Sequence, residues 1–95
     1  MGRSTNPARI VEVDGVTYLW RTTPDILTLV LAVWPRNLPG ARLISVFPIS
    51  RVVTPKLVRQ VVELALAHRY DPKAAKAPAL VVQLDPPQVR PADQA

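Results

Sequence analysis

The chain contains no cysteine and a single histidine, His68. Without thiols there is no disulfide framework and no thiolate metal site, and one histidine cannot build a multi-histidine centre. Neither a metal nor a cofactor is expected. The lack of cysteine also suits a reducing, cytoplasmic setting. Glycine is scarce: Gly2, Gly15 and Gly40 stand alone, so no glycine-rich loop can cradle a phosphate. Long apolar runs are missing too. The longest, Ile26 to Trp34, is interrupted by Thr28 and is far short of the roughly 20 residues a bilayer-spanning helix needs. The opening residues, Met1 to Pro7, lack the apolar core of a signal peptide. An intracellular protein without membrane contact is the expectation.

Catalytic constellations are also wanting. The acids are Glu12, Asp14, Asp25, Glu63, Asp71, Asp85 and Asp93. Each has a local explanation in a hairpin, turn, helix surface or tail, and nothing predicts that two converge in a cleft for acid–base work. Ser4, Ser45 and Ser50 lie in no nucleophile-elbow context. His68 falls in the last turn of a predicted helix, where an imidazolium interacts favourably with the helix dipole. No enzymatic activity is expected.

What is present is an apolar share of 48%, eleven prolines and a formal charge of +5 over 95 residues. That apolar content supports one modest core and hence one domain. The excess charge is concentrated in residues 26–76, as Arg36, Arg42, Arg51, Lys56, Arg59, Arg69, Lys73 and Lys76 against Glu63 and Asp71.

The most legible element runs from Thr54 to Tyr70. Thr54 is a good N-cap, Pro55 suits the first helical position, and Val53 with Val58 has the spacing of a hydrophobic staple. Leu57, Val58, Val61, Val62, Leu64, Ala65, Leu66 and His68 fill a broad apolar arc opposite Lys56, Arg59, Gln60 and Glu63. The arc is wider than one sheet face requires, so the helix is either cradled on two sides or meets a partner. Arg69, continued helically, would enter that arc. The helix is therefore predicted to end near His68, with Arg69 in the left-handed conformation and Tyr70 folding back on Leu64 or Ala65.

Upstream, Arg9 to Trp20 reads as a hairpin about Asp14-Gly15, the dipeptide suited to a type I′ turn. That turn sets the register Val13–Val16, Glu12–Thr17, Val11–Tyr18, Ile10–Leu19 and Arg9–Trp20. It places Val11, Val13, Val16, Tyr18 and Trp20 on the core face. Arg21 to Asp25 reads as a break, 26–33 as a central strand, 34–40 as a loop, 41–47 as a strand and 79–84 as a closing strand. The resulting fold class is α+β, an antiparallel sheet of about five strands (β-β-β-β-α-β) with one helix packed on one face. Residues 1–8 are expected to be a disordered N-terminus, 9–84 the domain, and 85–95 a disordered proline-rich tail.

Several of these residues resemble a pattern found in small uncharacterised bacterial proteins with a Trp-Arg strand and a Val-Thr-Pro amphipathic helix. Here they are Trp20-Arg21, Val53-Thr54-Pro55, Val58, Val62, Ala65-Leu66, Tyr70 and Pro72. The pattern usually carries Gly at the place of Arg69 and Trp at that of Tyr70. The resemblance implies the layout of strand and helix and no chemistry.

Function is expected to be binding. The first reading is a small protein-interaction module, with homodimerisation as one form of it, using Trp34, Arg36, Leu57, Leu64 and Leu66. Trp and Arg are the residue types most enriched at interface hot spots. The alternative is a nucleic-acid-binding protein using the basic segment 36–76, through Arg36, Arg51, Lys56, Arg59, Lys73 and Lys76. That reading wants exposed aromatics for stacking, and Trp34 is the one candidate.

Overall fold

The computed structural model describes residues 8–92. In chain order the elements are β1 (Arg9–Val13), β2 (Val16–Pro24), β3 (Thr28–Pro35), β4 (Leu43–Pro48), α1 (Pro55–Ala67), β5 (Leu80–Leu84) and β6 (Pro87–Pro91). They form one six-stranded sheet in sequence order, β1-β2-β3-β4-β5-β6, with α1 on one face.

The first hairpin has the register its turn dictates, from Val13↔Val16 to Arg9↔Trp20. Asp14 and Gly15 both take positive φ, 52° and 78°, as a type I′ turn requires. Pairing continues through β2 to Pro24, which lies opposite Leu29. The break expected at 21–25 is thus shorter than the sequence suggests. Trp34 likewise belongs to β3, opposite Leu19, and not to a loop.

Two features correct the expected sheet. First, it is mixed: β4 and β5 are parallel, pairing Leu43↔Leu80 and Ile44↔Val81. Helix α1 carries the chain from the end of β4 back to its start, so the next strand must run the same way. Second, there are six strands. Asp85-Pro86 is a tight turn, and Pro87 to Pro91 pair antiparallel with β5 instead of forming a loose tail. The prolines fit for a geometric reason. The Ala92 N–H donates to Ala79 at 2.8 Å, which makes the odd-numbered residues of β5 the ones that share ladder bonds with β6. Pro87 and Pro91 stand opposite Leu84 and Leu80, where no donor toward β5 is needed, and β6 is an edge strand. Residues 1–7 and 93–95, the ends of the expected disordered segments, lie outside the described residues.

The core lies between α1 and the sheet. Val58, Val61, Val62 and Ala65 of α1 are buried against Val11, Val13, Tyr18, Trp20, Leu31, Val33, Leu43 and Val82, and Leu57 is buried beside the end of β4. Each fully buried Val or Leu contributes roughly 2 kcal/mol, which is why a 13-residue helix that is marginal alone is stable here. Helix α1 contacts the edge strands β1 and β6 as well as β4 and β5. The sheet therefore curls around it, and this curl occupies the over-wide apolar arc.

The helix ends are capped as the sequence implies. Thr54 Oγ1 accepts from the Leu57 N–H at 3.2 Å. At the other end the Tyr70 N–H donates to Ala65 at 3.0 Å and the Arg69 N–H to Leu66 at 3.1 Å, the paired bonds of a Schellman motif. Arg69 takes φ 71°. Among the described residues no helix is long and apolar enough to cross a membrane.

Candidate interaction surface

Strand alternation gives this sheet two faces, and only one is covered by the helix. Because neighbours across a ladder share a face, the uncovered side can be read off the register as rows running across the strands. One row is Arg21, Ala32, Ile44, Val81 and Arg90, on β2, β3, β4, β5 and β6 in turn. A second is Ile10, Leu19 and Trp34, and a third is Thr23, Val30 and Val46. The centre is aliphatic and the row that crosses most strands is bounded by arginine at both ends. Ile10 is 58% exposed and Val46 55%; Leu19, Val30, Ala32, Trp34, Ile44 and Val81 are half-buried by their neighbours alone.

Trp34 sits between two cations. The Arg42 guanidinium lies 4.8 Å from its ring centroid and that of Arg21 5.7 Å. Such contacts contribute about 0.5–1 kcal/mol each at exposed sites. They hold the arginine stems flat on the sheet and their charges at its surface.

The same apolar character continues beyond one end of the sheet. Ile26 and Leu27, at the β2–β3 turn, are 87% and 76% exposed, and Val52, in the β4–α1 loop, is 75% exposed. The Ile49 N–H donates to the Leu27 carbonyl at 3.1 Å, which ties the two loops together. Adjacent exposed aliphatic groups of this kind mark interaction sites more often than isolated ones do.

Of the residues singled out for partner binding, Trp34 lies on the uncovered face. Arg36 is exposed just past the end of β3, its N–H donating to Thr17 at 2.9 Å. Leu57 is 4% exposed and belongs to the core, while Leu64 and Leu66 pack partly against it. The helix-side apolar arc is thus turned inward. Ile44, Val46, Val81, Arg21, Arg42 and Arg90 were not singled out for partner binding. Strand alternation in 26–33 and 41–47 is hidden because these segments are apolar at nearly every position, while Arg21 and Arg90 fall in segments read as a break and a tail.

The six cations of the nucleic-acid reading are not brought together. Arg36 and Lys73 flank a shallow depression near Gly15, and Arg51 follows the far end of β4. Lys56 and Arg59 are exposed on α1, and Lys76 is exposed in the loop after it. Trp20 and Tyr18, the other large aromatics of the hairpin, are buried.

Residues with catalytic potential also have structural positions. Ser45 is buried and its hydroxyl donates to the Val82 carbonyl at 2.7 Å. His68 is exposed with Nδ1 3.0 Å from the Leu64 carbonyl, which requires the proton on Nδ1. Burial raises the Tyr70 phenol far above its usual range, with Tyr18 and then Asp71 adding to the effect. Tyr18 is raised mainly by burial and secondarily by Asp14. Both phenols stay neutral at physiological pH. Among the described residues no cluster of His, Asp and Glu could hold a metal ion. Comparison with protein-family models, with curated proteins and with solved structures gives no match.

Proposed function

We propose that this chain is a non-enzymatic, cytoplasmic protein-interaction module that binds through the helix-free face of its sheet. The observation that carries the reading is the cross-strand row Arg21–Ala32–Ile44–Val81–Arg90, an aliphatic centre closed by a cation at each end. An apolar core inside a polar rim, with Trp and Arg among its members, is the anatomy of a protein interface. Charge distribution favours a different protein over a second copy. The face carries Arg21, Arg42 and Arg90 against Glu12, so an isologous dimer would lay one positive surface on another. The complementary partner has an apolar patch with acidic residues at its rim. Nucleic-acid binding is less well supported, because the cations proposed for it are dispersed and Trp34 is flanked by arginines at the sheet surface.

The test uses the full chain and Ile44→Glu. Affinity capture from the source cells, followed by mass spectrometry, should return a partner with wild type that is lost with the variant, while sedimentation velocity finds wild type monomeric. Identical captures by both forms would sink the proposal. A concentration-dependent dimer abolished by Ile44→Glu would replace the hetero-partner with a second copy.

A further inference from the structure

The parallel ladder between β4 and β5 is short. It holds two residue pairs and ends at Ile44↔Val81. The Leu80 N–H donates to Arg42 at 2.9 Å, so strand alternation aims the backbone groups of residues 42, 44 and 46 at those of 80, 82 and 84. The next rung would run from the Val46 N–H to the Val82 carbonyl. That carbonyl is taken instead by the Ser45 hydroxyl at 2.7 Å. Beyond it the strands part: β4 leaves toward α1 and β5 turns into β6.

The gap is a cleft of ≈ 620 Å³, within the roughly 300–1,000 Å³ typical of ligand sites. It lies at the carboxyl ends of the two adjacent parallel strands. Phe47, Leu57, Val82 and Leu84 supply apolar walls, Gln60 and Gln83 amide groups, and Arg51 and Arg90 two positive charges. Arg51 lies over the Phe47 ring at 5.8 Å, and neither arginine reaches a carboxylate among the described residues. Asp85 is the one acid on the lining.

We propose that this cleft binds an extended acidic peptide segment of a partner protein, which adds a strand along the freed edge of β4. The Val46 backbone takes up the peptide backbone, the apolar walls take alternate side chains, and Arg51 and Arg90 hold its carboxylates. A free strand edge with pockets for alternate side chains is what strand addition uses, and the two cations, which meet no carboxylate among the described residues, select negative charge over positive. The cleft shares Val46, Val81 and Arg90 with the edge of the helix-free face, but the proposal rests on the parted ladder and does not depend on that reading.

The experiment is a titration of the isotope-labelled full chain with soluble six-residue peptides, followed by backbone amide NMR. One peptide alternates glutamate with valine; the second replaces glutamate with lysine; the third is the acidic peptide N-methylated on one edge; glutarate is the small-anion probe. The acidic peptide should shift Val46, Phe47, Gln83 and Leu84 and slow exchange of the Val46 amide. Arg51→Gln, on an exposed side chain, and Arg90→Gln, on a half-buried one, should each raise its Kd about tenfold, the effect of losing one charge-assisted bond. The lysine and N-methylated peptides should not bind. No shift at these residues with the acidic peptide at millimolar concentration overturns the proposal. Equal binding of the N-methylated peptide, or glutarate binding as tightly as the peptide, overturns strand addition. Shifts confined to Ile10, Ala32 and Trp34 would place the peptide on the helix-free face and overturn the cleft. Repeating the titration with Ile10→Glu, on the far strand of the helix-free face, should leave cleft binding unchanged and separates the two surfaces.

Discussion

The Tyr70 hydroxyl donates to the Ala41 carbonyl at 2.8 Å, joining residues 29 apart in sequence. It fastens the C-terminal end of α1 to the segment entering β4, and it does so from a buried side chain. Just beside it Gly40 lies so close to Pro72 that a Cβ there would collide with the Pro72 carbonyl. Both contacts secure the end of the molecule opposite the proposed cleft.

Alkaline pH should weaken the fold through Tyr70. Its folded-state pKa is raised above the ordinary value of 10.0, chiefly by burial. The unfolded chain therefore loses this proton first, binds fewer protons than the native state above about pH 10, and stability falls as pH rises. Tyr70→Phe removes this contribution and also the bond to Ala41. Urea denaturation should find the variant less stable by about 1 kcal/mol at pH 8, with a shallower loss of stability between pH 9 and 11 than wild type.

Arg69→Gly should stabilise the protein by about 1 kcal/mol. Arg69 holds φ 71° at the Schellman position, where a Cβ is disfavoured and glycine is not. The bonds from Arg69 and Tyr70 to Leu66 and Ala65 are backbone bonds and survive the substitution. Thermal unfolding measures the gain.

Ser45→Ala should destabilise by about 1–3 kcal/mol. Its hydroxyl is the partner of a buried carbonyl that has left the parallel ladder, and an orphaned buried acceptor costs its desolvation. Denaturant midpoints at constant m-value would establish the loss. An unchanged midpoint would mean that the Val46 N–H has taken the bond and the cleft has narrowed.

Glutamate should discriminate the two sheet faces. Val33 and Ile44 lie on β3 and β4, but Val33 is fully buried under α1 whereas Ile44 is half-buried on the open side. Val33→Glu places a charge in the core and should abolish folding. Ile44→Glu should change stability by no more than about 1 kcal/mol. Circular dichroism of the two variants tests this.

Much of the fold was legible because its signals are local. The Asp14-Gly15 dipeptide determines a turn, the turn a register, and the register a face. The Thr54-Pro55 cap and the misplaced Arg69 bracket the helix in the same way, since caps act within one turn. The strand β6 was not legible. Its prolines read as a tail because sequence does not say which backbone donors a ladder will need, and Pro87 and Pro91 occupy the positions where none is needed.

The sequence by itself determined one helix, its two ends, the first hairpin and an α+β composition, because each depends on residues a few positions apart. Tertiary structure alone decided that β4 and β5 run parallel, that the sheet curls far enough to bury Leu57 and cover the wide helical arc, and that the arginine-bounded face stays open. Which apolar residues are core and which are surface depends on where the helix lies. A strand apolar on both sides, such as β3, carries no record of which side the helix will take.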